Sequence, residues 1–308
     1  MALSLRKNNS RGSVGLDIDG RFLAAVQADG DQILNAASME LPKGLVSDGE
    51  VADSDGLSEA IKEFASKSGM GRSVRLGVAN QQIVVRLVEL PRIENLAERD
   101  AAIRFQAAEA IAMPLDEAVL DHQVASYTEA ADGTGRMQVV LVAARRAMVE
   151  SYVEAVKKAG LKPIGIDLDA FALVRVLARN APLVDSARVF CHLAGVTNLA
   201  IAVGDACVFT RPLATGWDQD FAAAELTDEI RLSIDYYGAQ AGARAVTDVM
   251  LSGPGSHNED LVLELEAHMG LPTSVADPLG GLDGSAMTAG EDPRRYTVAT
   301  GLSLGAAA

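Results

Sequence analysis

Val14-Gly15-Leu16-Asp17-Ile18-Asp19-Gly20-Arg21-Phe22-Leu23-Ala24-Ala25-Val26 reads as an apolar strand, a short polar turn and a second apolar strand. Val189-Phe190-Cys191-His192-Leu193-Ala194-Gly195-Val196-Thr197-Asn198-Leu199-Ala200-Ile201-Ala202-Val203 reads the same way. Apolar runs bounded by small and polar turn residues are the pattern of a β-hairpin. One hairpin opens each half of the chain, so the fold is expected to be a duplication. The copies differ at the turn: the first carries Asp17 and Asp19, and the second offers His192.

The 308 residues suffice for two domains with ordinary cores. Hydrophobic residues make up 49% of them, which argues against extensive disorder, and with aromatics at 4% the core must be built from Ala, Val and Leu. A net charge of −15 argues against nucleic acid as the main partner and against direct docking on anionic lipid. No apolar run approaches the ~20 residues of a membrane span. Met1 to Arg11 is basic but leads into no hydrophobic region, so no signal peptide is expected. Cys191 and Cys207 read as buried reduced thiols, with a disulfide open to them should their strands be neighbours. His122, His192, His257 and His268 lack metal-ligand spacing, and no P-loop motif occurs.

Beyond the first hairpin, a third strand is expected over Gln32 to Leu41, then a loop to Asp55, then a helix through Leu57, Ile61 and Phe64 capped by Ser54 or Asp55. Val74 to Val78 and Ile83 to Leu90 alternate as strands about a turn at Asn80-Gln81. A compact unit follows: helix Glu94 to Ile111, strands Val119 to Tyr127 and Met137 to Ala144 around Asp132-Gly133, helix Met148 to Ala159, and strand Leu161 to Leu168. Asp169 stands at the head of a helix to Arg179. The second half then gives three strands, a helix from about Asp218 to Tyr237, strand Val249 to Leu251, a helix through Met269, a short strand Pro272 to Val275, a loop over Pro278 to Glu291, and a last helix Tyr296 to Leu304. A βββαβα order given twice is not the even alternation of a Rossmann sheet.

In these blocks the chain resembles the PilM family of type IV pilus assembly proteins, within the actin-like ATPase superfamily. The resemblance runs from Val14 to Gly305. It rests on Leu41-Pro42-Lys43-Gly44-Leu45-Val46 with Gly49-Glu50-Val51, on Val78-Ala79-Asn80-Gln81 with Val84-Val85-Arg86, and on Ala108 to Glu117 with Asp121-His122-Gln123-Val124. Ala159-Gly160-Leu161-Lys162-Pro163, Ile166 to Leu173, Glu229 to Tyr237 and Ala299-Thr300-Gly301-Leu302 continue it in order. It implies an α/β fold: a duplicated actin-like (ribonuclease H-like) pair of lobes with a small α+β subdomain inserted in the first. The expected divisions are 12–93 for the first lobe, 94–166 for the insert, 167–180 for a crossing helix, and 181–308 for the second lobe with a returning C-terminal helix.

The resemblance further implies a cytoplasmic adaptor, held at the inner face of the cytoplasmic membrane through its partner. It would bind ATP or ADP with Mg²⁺ between the lobes. It would also bind the N-terminal cytoplasmic peptide of PilN and link pilus motor-side proteins to the membrane complex. Asp17 would hold water around Mg²⁺, and Asp169 would orient attacking water or serve as an ordinary N-cap. Gly20 and Arg21 on the first turn, and Gly195, Thr197 and Asn198 on the second, would meet phosphate. Gly253, Gly255 and Ser256 would let backbone approach adenosine, and Glu229 would meet ribose or base, or simply face solvent with Arg231.

The sequence departs from the family where Asp19 stands in place of glycine, adding a carboxylate that repels triphosphate unless metal or Arg21 compensates. The family's Asp-Ile-Gly becomes His192-Leu193-Ala194, with His192 read as a buried strand residue rather than a base. Weak or absent hydrolysis is therefore expected. For the peptide, Val84, Arg86, Arg104, Ala108 and Ile111 are candidate contacts, with core packing as the other reading of Val84 and Ile111. A sugar-kinase-like phosphotransferase and an FtsA-like filament former are the alternatives on the same fold.

Overall fold

The computed structural model describes residues 13–129, 133–180, 186–240, 242–288 and 290–305. The readings made on Met1 to Arg11, on Asp132 and on the residues after Gly305 lie outside them.

The first hairpin joins β1 (Val14–Ile18) to β2 (Phe22–Asp29), and β3 (Gln32–Glu40) continues the meander. Within the expected loop lies a small hairpin of β4 (Val46–Ser47) and β5 (Glu50–Val51). Helix α1 (Ser54–Ser68) is capped by Asp53, one residue ahead of expectation, whose carboxylate accepts the Gly56 N–H. Gly69 ends it in the left-handed region that suits glycine at this cap. Strand β6 (Ser73–Val78) then lies parallel to β1.

The expected turn between β6 and the next strand is not a hairpin. Strand β7 (Val84–Pro91) leaves the first sheet, and after α2 (Leu96–Ala110) and β8 (Ala118–Glu129) it pairs with β9 (Gly135–Arg145). The three strands form a separate sheet, β7-β9-β8. Ile103, Ala107 and Ile111 pack on its Met137, Val139, Leu141 and Ala143. Helix α3 (Arg146–Lys158) instead joins the core around α1, and β10 (Lys162–Leu168) pairs with β6. Every residue from Val84 to Pro91 pairs with β9, so β7 shares the sheet of β8 and β9, whereas β10 shares a sheet with β6.

Helix α4 (Asp169–Leu177) crosses to the second half, where β11 (Ala187–His192), β12 (Asn198–Val203) and β13 (Ala206–Pro212) repeat the meander. Helix α5 (Ala222–Gly238), β14 (Val246–Ser252), α6 (Glu259–Met269) and β15 (Thr273–Val275) complete it. The sheets run β3-β2-β1-β6-β10 and β13-β12-β11-β14-β15, the same order twice. Helix α7 (Thr297–Ser303) returns to the first lobe, and just before it Tyr296 is buried with Phe22, Ala24, Val26 and Ala299. Cys191 and Cys207 are free buried thiols. Strand β12 lies between their strands, which removes the open disulfide reading.

Candidate functional site

Each hairpin turn sits at the end of a central strand, and the two turns meet. Asp19 Oδ1 accepts the backbone N–H groups of Arg21 at 2.8 Å and Phe22 at 3.0 Å, while Oδ2 accepts the Gly195 N–H at 2.5 Å. Gly20 allows the first turn with φ +90°. Next to this contact, Arg21 makes two hydrogen bonds to Asp218, at 2.8 and 2.9 Å, and lies over the Trp217 ring. Trp217 packs directly on Gly255: a Cβ there would lie 2.6 Å from the indole. Deeper between the lobes, a cavity lined by Val78, Asn80, Leu168, Asn198, Thr210 and Pro212 measures only about 10 Å³.

Asp17 is buried on β1. Burial, then the charges of Asp169 and Asp19, push its carboxyl well above the usual range. Asp169 does not cap α4 with its side chain. Its Oδ1 is fully buried without a hydrogen-bond partner among the described residues, and it lies against Gly77, where a Cβ would stand 2.2 Å away. Burial and then the charges of Asp167 and Asp19 raise it to about 8. Asp167 belongs to a different environment, since its Oδ2 accepts from Arg175 at 2.8 Å. Tyr152 of α3 is raised too, by burial and then by Asp169 and Asp17, so the acids share one low-dielectric region.

Asp169 gives a testable slope. A carboxyl raised to about 8 in the fold and near ~3.9 unfolded keeps a proton in the folded state that the unfolded chain has released. Its contribution to stability is complete below the unfolded value and is lost as pH rises through the folded one. Asp169→Asn should therefore flatten the fall in stability between about pH 4 and pH 8. Urea midpoints of both proteins at the two ends measure it; equal slopes would contradict it.

The other expected site residues are mostly occupied. Thr197 is buried with its Oγ1 unpartnered among the described residues, and the Asn198 Oδ1 accepts from the Thr210 hydroxyl at 3.2 Å. Glu229 accepts from the backbone N–H of Ala214 and Thr215 and from the Thr215 hydroxyl, so it neither faces solvent nor stands free for a ribose. Arg231 donates to the His268 carbonyl on α6. The Ser256 hydroxyl donates to the Gly253 carbonyl, and Gly253, at φ +83°, lies against Leu193 and His192. His192 is buried beside the Ser252 hydroxyl at 3.0 Å, and burial lowers it to about 4, so it is neutral. As a neutral imidazole it cannot replace the carboxylate that the resemblance expects there.

The fold's nucleotide does not fit this arrangement. The N–H groups of Arg21, Phe22 and Gly195 that would cradle phosphate already serve Asp19. Trp217 packs on Gly255, one of the residues that the resemblance would place near adenosine. Trp217 and Asp218 were not among the expected site residues. Their signal was the chain's single tryptophan, placed between Gly216 and an acid just ahead of α5.

Of the peptide candidates, Arg104 and Ala108 are exposed on α2, while Val84 and Arg86 are half-buried. Arg86 donates to the Val85 carbonyl. Ile111 belongs to the insert core, so the packing reading holds for it. A separate groove of about 580 Å³ runs along α3 beside Val119 at the start of β8. Val149 and Val153 line it, with Arg146, Glu150, Glu154 and Lys157 around them.

Twin five-stranded sheets in one order, with their hairpin turns meeting between them, define an actin-like two-lobe protein. Solved structures agree. One neighbour is a Bacteroides thetaiotaomicron protein with an actin-like ATPase fold (TM-score 0.50, 12% identity, 87% of this chain and 92% of that one covered). Another is the ethanolamine utilization protein EutJ from Carboxydothermus hydrogenoformans (TM-score 0.54, 11%, 99% and 92%). The chain is also similar to the protein of a PilM-PilN type IV pilus biogenesis complex, at TM-score 0.81 and 24% identity over 96% of this chain and 99% of that one. The family model of type IV pilus assembly protein PilM matches residues 15–220, and the chain belongs to that family.

Proposed function

We propose that this PilM-family chain is a cytoplasmic adaptor of the type IV pilus inner-membrane complex, binding the N-terminal cytoplasmic peptide of PilN, with ATP hydrolysis weak or absent. The groove between α3 and β8 carries the reading. It lies where the first lobe meets the insert, here taken as Val84 to Arg145. Its apolar floor of Val119, Val149 and Val153 suits apolar side chains, and its charged rim offers both signs. Strand β8 is at the edge of its sheet, so an extended peptide can add to it along α3. The partner would hold the chain at the inner face of the cytoplasmic membrane and join it to motor-side proteins. Among the described residues no helix is long and apolar enough to cross a membrane, which is compatible with a membrane contact made through PilN.

Weak hydrolysis is supported by the filled phosphate cradle and the neutral His192, since phosphoryl transfer needs positioned charge and an oriented water. Titration of the PilN peptide into two surface variants tests the groove. Glu150→Trp places an indole in the groove from an exposed position and should weaken binding about tenfold or more. Arg104→Glu, on the exposed face of α2, should leave affinity within about twofold. Full affinity in Glu150→Trp removes the groove from the account, and a loss confined to Arg104→Glu moves the site to α2.

A further inference from the structure

The three N–H groups around Asp19 come from two lobes. Those of Arg21 and Phe22 belong to the first turn, and that of Gly195 belongs to the second, 176 residues away. Successive N–H groups converging on one anion form the concavity by which protein turns hold phosphate. Here the anion is part of the chain. The fit is also tight: a Cβ on Gly195 would lie 2.2 Å from the Asp19 carbonyl oxygen and 2.8 Å from its Oδ2, so the two turns are in direct contact there. The backbone of Asp19 does not require an unusual conformation, because Asp48 and Phe221 are the non-glycine residues with positive φ among those described.

Two further contacts close the same seam. The Arg21–Asp218 pair joins the first hairpin to the segment ahead of α5, with both side chains 44% exposed, so it adds little energy by itself. Trp217 lies beneath Arg21 and on Gly255, with its Nε1 buried and unpartnered among the described residues. Indole, guanidinium and carboxylate thus close the seam beside the two turns from within.

We propose that the Asp19 carboxylate is a built-in anion that fills the phosphate cradle and holds the two lobes together without nucleotide. This deepens the reading of the cleft as one that does not turn over ATP. It follows that vacating Asp19 creates a site for a phosphate-bearing ligand and removes the native brace between the turns.

The test is calorimetry with inorganic pyrophosphate and with ATP, each with and without Mg²⁺, on the full chain and on Asp19→Gly, Asp19→Ala and Asp19→Asn. The wild type should give no saturable heat up to millimolar ligand. Asp19→Gly should bind pyrophosphate at least about tenfold more tightly than the wild type, and its melting temperature, lowered without ligand, should rise with pyrophosphate. Asp19→Asn keeps the side-chain size and loses the charge, so it leaves the cradle filled and should stay near the wild-type affinity; Asp19→Ala vacates it and carries the same test if Asp19→Gly does not melt cooperatively. Wild-type affinity equal to that of the folded Gly or Ala variant, or no gain in a folded Gly or Ala variant, overturns it. Binding of the PilN peptide is measured on the same samples. A failed brace with intact peptide binding leaves the adaptor reading standing, whereas lost peptide binding in the wild type sinks that reading alone.

Discussion

Gly15→Ala should lower the stability of the whole chain by about 3 kcal/mol or more, seen as a fall in the urea midpoint. A Cβ at Gly15 would stand 2.0 Å from the Ala299 carbonyl oxygen and 2.5 Å from the Ser303 nitrogen, both backbone atoms of α7. No rotamer change relieves a clash with helix backbone, so α7 must lift from β1. That helix buries Val298, Ala299 and Leu302, and it is locked on its other side at Gly301, where a Cβ would lie 2.0 Å from the Ala172 carbonyl oxygen of α4. Asp169 begins α4, so moving α7 also disturbs the acid region of the cleft. An unchanged midpoint would mean that α7 is not docked as described.

Arg175→Ala should cost about 3–5 kcal/mol, the range for breaking a buried ion pair from one side. Arg175 donates to Asp167 at 2.8 Å and to the Gly301 carbonyl at 2.6 Å, with side-chain exposures of 12% and 1% for the pair. The variant leaves a carboxylate with little access to water and a helix carbonyl without its donor. Arg75, also buried and close enough for its charge to act on Asp167, offsets part of the loss. Adding Asp167→Asn to Arg175→Ala should recover much of the stability, because the residual penalty is mainly the unpaired charge. A double variant no more stable than the single one would place the cost in packing instead.

The repeated fold was legible because its evidence is local. Apolar runs around short turns announce both hairpins, and Gly69 and Gly160 punctuate the helices that follow. The insert was less legible at its edges. Strand β7 has the pattern of a strand wherever it pairs, and its partner β9 begins more than forty residues later, beyond any local signal. The cap of α1 was misplaced by a single residue because Asp53, Ser54 and Asp55 are all competent caps.

The site divides the same way. Asp17 was recognisable as the acid the resemblance implies, and Asp19 and His192 as departures from it. What Asp19 does depends on Gly195, and only folding brings them together. Glu229 looked like a helix-surface acid until the Ala214–Thr215 turn closed on it. The α3 groove escaped notice because its floor residues have the spacing of any core-facing helix, and Val119 joins them from another element.

The most direct test of the adaptor account is calorimetric titration of the PilN N-terminal peptide into the nucleotide-free full chain, repeated with ATP and Mg²⁺. The account predicts saturable one-to-one binding in both, with affinities equal within about twofold, because the lobes are already braced by Asp19. No binding, or binding that appears only with ATP, would contradict it.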